Sequence, residues 1–162
     1  MILTVSNTTP LHYLALIEEI HILPALYGHV VIPHRVFDEL QQPRTPGVVK
    51  TFVASRPVWL DIRTISMPIP STLAHLDRGE QEAITLALEV QADALLIDEA
   101  KGRDTAELHG LKIVGTLGIL FDAAKIGLCE LETVYEKLRQ TNFRAGENLY
   151  QHFLKLHEKS QK

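Results

Sequence analysis

Apolar residues fall into two kinds of pattern along the chain. Short blocks of two to five carry β-branched or consecutive apolar side chains: Ile2-Leu3-Thr4-Val5, Val30-Val31-Ile32, Val58 to Ile62, Ala94-Leu95-Leu96-Ile97 and Lys112-Ile113-Val114. These read as strands, and four apolar residues in a row at 94–97 suit a central parallel strand covered on both faces. Between them, apolar residues recur every three or four positions, the spacing of helices with one buried side. Thr9 and Pro10 open the first helix as cap and first residue. Ile22 to Tyr27 forms a second, stopped by Gly28, and His34 to Leu40 a third with Val36, Phe37 and Leu40 as its buried stripe. Val48 to Ser55 continues the series. Asp77-Arg78-Gly79-Glu80 fits a capping box ahead of a helix whose apolar side is Ala83, Ile84, Ala87, Leu88 and Val90. Helices follow at Ala100 to His109, at Thr116 to Lys125 behind Gly115, at Glu132 to Gln140 and at Glu147 to His157. The last five residues are polar and read as a frayed tail.

Strands that alternate with helices predict an α/β class with a mostly parallel sheet, here followed by a helical C-terminal segment. In such sheets ligands bind beyond the carboxyl ends of the strands, where the loops diverge. Three strands end in polar residues: Asn7, Asp98 and Thr116. If those strands are neighbours, the three groups converge.

That end of the sheet is where candidate chemistry collects. Glu39, Glu80 and Asp98 are the candidate acids, and Asn7 adds a neutral oxygen. Carboxylates brought together repel unless a proton or cation offsets them. Oxygen donors without cysteine or paired histidine favour Mg²⁺ or Mn²⁺ over zinc. Such ions polarise phosphoryl oxygens and lower the pKa of water, which is the chemistry of metal-dependent nucleases and phosphatases. Each residue also has a structural role open to it. Glu80 closes the capping box, Glu39 can be a solvated helix residue, Asp98 can cap the next helix, and Asn7 and Thr116 suit turns. Glu82 and Glu99 stand beside the candidate ligands as supporting or surface residues, and Asp77 serves as a cap. His12 and His34 lie near the same crevice, and Arg35, Arg44, Lys101 and Arg103 could form a cationic rim for a phosphate.

Composition narrows the classes. With 162 residues, 46% hydrophobic and 22% charged, the chain has the make-up of one globular domain. A net charge of −4 gives no overall steering toward nucleic acid, so RNA binding would need local cations or metal ions. The one cysteine, Cys129, excludes an internal disulfide. No apolar run is long enough to span a bilayer, so the expectation is a soluble, cytoplasmic protein. Gly115-x-x-Gly118 is too short for a dinucleotide or P-loop fingerprint, and no nucleophile–base pattern stands out.

VSNTTPLHYLALI, VVIPHRVFDEL, LDRGEQEAITLALE, ADALLIDE and LKIVGTLGIL, in this order and spacing, resemble the PIN-domain superfamily, and among it the prokaryotic PIN-like proteins related to VapC-type toxins. The resemblance implies a single PIN-like domain over 1–157, a three-layer α/β/α fold, and a Mg²⁺/Mn²⁺-dependent ribonuclease. It implies RNA as substrate, an antitoxin protein as partner, and a homodimer. It also places the acidic set at positions 7, 39, 80 and 98, with Thr116 lining the same pocket and Glu82 close by. At position 7 this chain carries Asn where the family usually has Asp. That departure implies weaker metal binding, and it leaves a non-catalytic RNA- or protein-binding module as the alternative.

Overall fold

The computed structural model describes residues 2–161. Five parallel strands form one sheet in the order β3-β2-β1-β4-β5: β1 Thr4–Ser6, β2 Val30–Pro33, β3 Leu60–Arg63, β4 Ala94–Leu96 and β5 Ile113–Val114. The chain lays down β1, moves outward through β2 to β3, and then returns across the sheet to add β4 on the other side of β1. The strand order therefore reverses between β1 and β4. Connections leaving these two strands part in opposite directions, which opens a crevice at their carboxyl ends.

Side chains alternate across the strands and divide the core in two. Val30, Ile32, Leu60 and Leu96 face one layer of helices. Val5, Val31, Leu95 and Ile97 face the other. The first layer contains α1 Thr8–Leu16, α2 Ile22–Tyr27, α3 His34–Glu39, α4 Gly47–Ala54, α7 Thr116–Lys125, α8 Leu131–Arg139 and α9 Glu147–Ser160. The second contains α5 Arg78–Glu89 and α6 Ala100–Leu108, with the 3₁₀ turn Ser71–Leu73 beneath them. The architecture is three-layered α/β/α, with every strand pair parallel.

Several boundaries differ from the sequence reading, each for a local reason. Strand one begins at Thr4 because Leu3 N donates to the Asp93 carboxylate at 2.7 Å, outside the ladder. The cap of α1 is Asn7, two residues ahead of Thr9, and Pro10 is the third helical residue, where its missing N–H costs no hydrogen bond. Val58 is exposed in a turn in which Leu60 N donates to Pro57 O, so β3 starts at Leu60. The regular ladder of β4 stops at Leu96, although Ile97 N still donates to Val114 O at 3.0 Å. At the other end of the chain, α9 stays helical to Ser160. Lys162 lies outside the described residues. No helix is long and apolar enough to cross a membrane among them.

The two-faced core makes the central strands the costly place for truncation. Leu95→Ala, at a fully buried position, is expected to lower unfolding free energy by about 2–5 kcal/mol. Val58→Ala, at an exposed position, is expected to stay within about 0.5 kcal/mol. Urea denaturation of the two variants measures both.

Candidate active site at the sheet switch point

Asn7 leaves β1 beside β4, with its backbone N donating to Leu96 O at 2.9 Å. It sits at the cap position of α1 with extended backbone angles, yet its side chain makes no capping bond. Its Oδ1 is buried and has no hydrogen-bond partner.

The next residue, Thr8, ties in the second candidate. Its hydroxyl donates to Glu39 Oε2 at 2.5 Å. Glu39 ends α3 and is half-buried, and Arg35, one turn earlier, approaches it at 3.8 Å. Gly79, near the start of α5, lies against the same carboxylate: a Cβ there would stand 2.6 Å from Glu39 Oε2. The missing side chain lets the α5 N-terminus come close to α3.

Glu80 follows at once and is 4% exposed. The capping box forms as its sequence predicts: Glu80 N donates to Asp77 Oδ1 at 2.8 Å, and Asp77 N donates to Glu80 Oε1 at 3.2 Å. Only one carboxylate oxygen is used in that exchange. The other, Oε2, is buried and unpartnered. It rests against Gly102 of α6, where a Cβ would come within 2.8 Å of it. Glu99, the cap residue of α6, is exposed and close enough for its charge to act on Glu80.

Asp98 closes the other side of the crevice. Thr116, fully buried at the start of α7, donates twice to it: backbone N to Oδ1 at 2.8 Å and Oγ1 to Oδ2 at 2.6 Å. Arg103 donates from Nη1 to Ile97 O at 3.1 Å and adds positive charge beside Asp98. Gly115 makes room for this packing, since a Cβ there would lie 2.7 Å from Arg103 Nη1 and 3.0 Å from Asp98 Oδ1.

All three acids hold their protons more firmly than usual. Burial raises the Glu80 pKa to about 7, with Asp77 and Glu99 adding to the effect. Burial raises Glu39 against the opposing Thr8 hydrogen bond, and raises Asp98 against Thr116 and Arg103. The site is short of positive charge. Its donors are oxygens throughout, and two of them are buried without a partner. That set fits a hard divalent cation. It is not a closed cage: among the described residues, no three His, Cys, Asp or Glu side chains group closely enough to hold one ion by themselves. Asn7, whose Oδ1 is unpartnered, would have to add to the acids, among which Asp98 keeps lone pairs beyond its Thr116 bonds.

A family model for PIN domains (DUF3368) matches residues 3–159. The chain belongs to the PIN-domain family. Members are typically nucleases and commonly bind Mg²⁺ or Mn²⁺. No curated protein matches the chain. Within this PIN domain the other predicted positions fall as follows. Glu82 pairs with Arg78 at 3.1 Å, is largely buried, and lies close enough for its charge to act on Glu39. Arg35 and Lys101 are exposed, and His12 is half-buried edge-on to Tyr13, with burial lowering its pKa. Thr8, Gly79 and Gly102 escaped the sequence reading. Phe143 and Arg144 did too: they come from the α8–α9 loop, yet they line cavities that also expose Asp98. Only the capping box had a local signal. The rest arise from contacts between distant segments.

The shifted acids give this PIN domain a pH signature. Between an ordinary Glu value of 4.5 and about 7, the folded state keeps a proton on Glu80 that the unfolded chain releases. Stability without divalent cations should therefore fall as pH rises through that window and level off above it. Glu80→Gln should reduce the fall, as read by thermal melts in EDTA from pH 4 to 8. Gly79→Ala should leave the melting temperature within a few degrees, because the atoms it meets end a flexible side chain. It should displace Glu39 from Thr8, which an NMR shift of the Thr8 amide would report.

Proposed function

We propose that this PIN domain is a Mg²⁺/Mn²⁺-dependent endoribonuclease, the toxin-like member of a toxin–antitoxin pair. One observation carries the reading. Two buried oxygens, Asn7 Oδ1 and Glu80 Oε2, lack partners at the point where the strand order reverses. Leaving a buried polar atom unsatisfied costs about 1–3 kcal/mol, and more if it is charged. A cation would remove that cost and the excess proton affinity together.

Glu39, Glu80 and Asp98 would hold the ion, with Asn7 as a neutral donor. When bound, the ion supplies Lewis acidity toward an RNA phosphodiester and eases ionisation of water. The chain's own residues set the geometry. Thr8 fixes Glu39, and Thr116 fixes both oxygens of Asp98. Glu80 would hold the ion as a carboxylate, so a bound cation would offset the burial that favours its protonated form. Glu99 and Glu82 keep the surroundings negative, and Lys101, Arg103, Arg35 and His12 are the residues this reading assigns to phosphate contact. An antitoxin and a second copy of the chain are the partners the family likeness supports.

A second reading, a non-catalytic RNA- or protein-binding module, draws on the neutral Asn7 and on the absence of any ready-made trio of acids among the described residues. Calorimetric titration with Mn²⁺ and an RNA cleavage assay separate the two. For the nuclease, wild type should release or absorb heat with Mn²⁺ and cleave RNA, and Asp98→Ala should lose cleavage at least about a hundredfold. Asn7→Asp should tighten Mn²⁺ binding and raise cleavage. No metal heat, with equal background cleavage by wild type and Asp98→Ala, would leave the module.

A further inference from the structure

Two cavities share Asp98. One, of about 480 Å³, includes Thr9, Tyr13 and Glu99 and continues the acidic crevice. The other, of about 430 Å³, lies between α7 and α9. Phe143 and Arg144 line both. The second cavity is mostly apolar, with Leu117, Phe121, Leu149 and Phe153 in its walls. Its polar groups are two arginines, Arg103 and Arg144, and two acids, Asp98 and Asp122.

This chemistry selects its occupant. The volume is that of a small-molecule pocket, too small for a helix or a duplex. Two carboxylates in the lining oppose an anion inside, so a phosphate belongs outside, on the arginines. Arg144 is exposed and forms no ion pair among the described residues. An apolar aromatic interior suits a flat, neutral ring carrying an attached phosphate chain. Unpaired nucleobases are recognised by stacking on aromatic side chains, with basic groups along the backbone. The loop that bears Phe143 is also held in place. Tyr13 Oη donates to Asn142 Oδ1 at 2.8 Å, Phe143 packs edge-on to Tyr13 at 5.0 Å, and Arg139 joins Tyr150 and Glu147 behind it.

We propose that the α7–α9 cavity receives one unpaired base of a single-stranded RNA, adjacent to the phosphodiester at Asp98, with Phe143 as a stacking surface and Arg144 on the backbone. The inference rests on the RNA reading above and names the part of the substrate recognised next to the reacting bond. It makes the protein selective for unstacked RNA without a basic surface overall.

The test uses binding in EDTA, so that it does not depend on cleavage. The probes are 2′-O-methyl RNA hexamers, one intact and others with a single abasic position moved along the strand. On wild type, one abasic position should weaken binding about ten- to hundredfold, the range expected for loss of one stacked base. Phe143→Ala, and Leu149→Trp, which fills the cavity from a half-exposed position, should each flatten that dependence. Phe143→Ala should also melt lower, because its ring packs on Tyr13 and the core, whereas Leu149→Trp should melt as wild type does. Val58→Ala, which lines neither cavity, should keep the position dependence. Equal binding of all hexamers by wild type would overturn the proposal. So would an unchanged position dependence in both cavity variants. Cleavage by wild type, assayed separately with Mn²⁺, reports on the nuclease reading alone.

Discussion

Acidic groups withdrawn from water with too little counter-charge are the constraint on which the rest of this molecule turns. The fold sets Glu39, Glu80 and Asp98 around one end of a parallel sheet, short of a single close cluster, and withdraws each of them in part from water. It answers their charge only in part: one threonine and Arg35 at 3.8 Å for Glu39, one threonine and a nearby arginine for Asp98, and a single backbone N–H for one oxygen of Glu80. An apolar core built on both faces of the sheet holds the elements in these positions. Packing energy from the body of the protein thus maintains an electrostatic arrangement that the acids would not adopt alone.

Glycine is the local means by which the arrangement becomes compact. Gly79, Gly102 and Gly115 each occupy a place where a Cβ would press on Glu39, Glu80, or Asp98 with Arg103. None of the three needs a left-handed backbone, so their role is close approach rather than conformational freedom. Three helix starts can therefore converge on the carboxyl ends of β1 and β4.

Much of the fold is legible in the sequence, because its signals are local. The run at 94–97, the capping box at Asp77 and the stop at Gly28 each need only a few adjacent residues. The site is legible as a list of residue types, since acids that end strands and open helices stand out. Its wiring is not. The Thr116 bonds to Asp98 span 18 residues, the Thr8 bond to Glu39 spans 31, and Phe143 reaches the crevice from a loop after α8. No periodicity encodes which threonine will meet which acid. The misplaced cap of α1 has the same origin: Thr9 and Pro10 look like a start, but the end of β1 and its neighbour β4 decide where the helix begins.

Proline at the third position of α1 bears on this site as well. A cap residue's side chain ordinarily accepts from the N–H of the second or third helical residue, and Pro10 has no N–H to offer. Only the Thr9 N–H remains within reach of the Asn7 side chain, and no capping bond to it forms. Helix initiation and crevice charge are decoupled at this position. Exchanging amide for carboxylate there would change the crevice's electrostatics without removing a capping bond from the first turn.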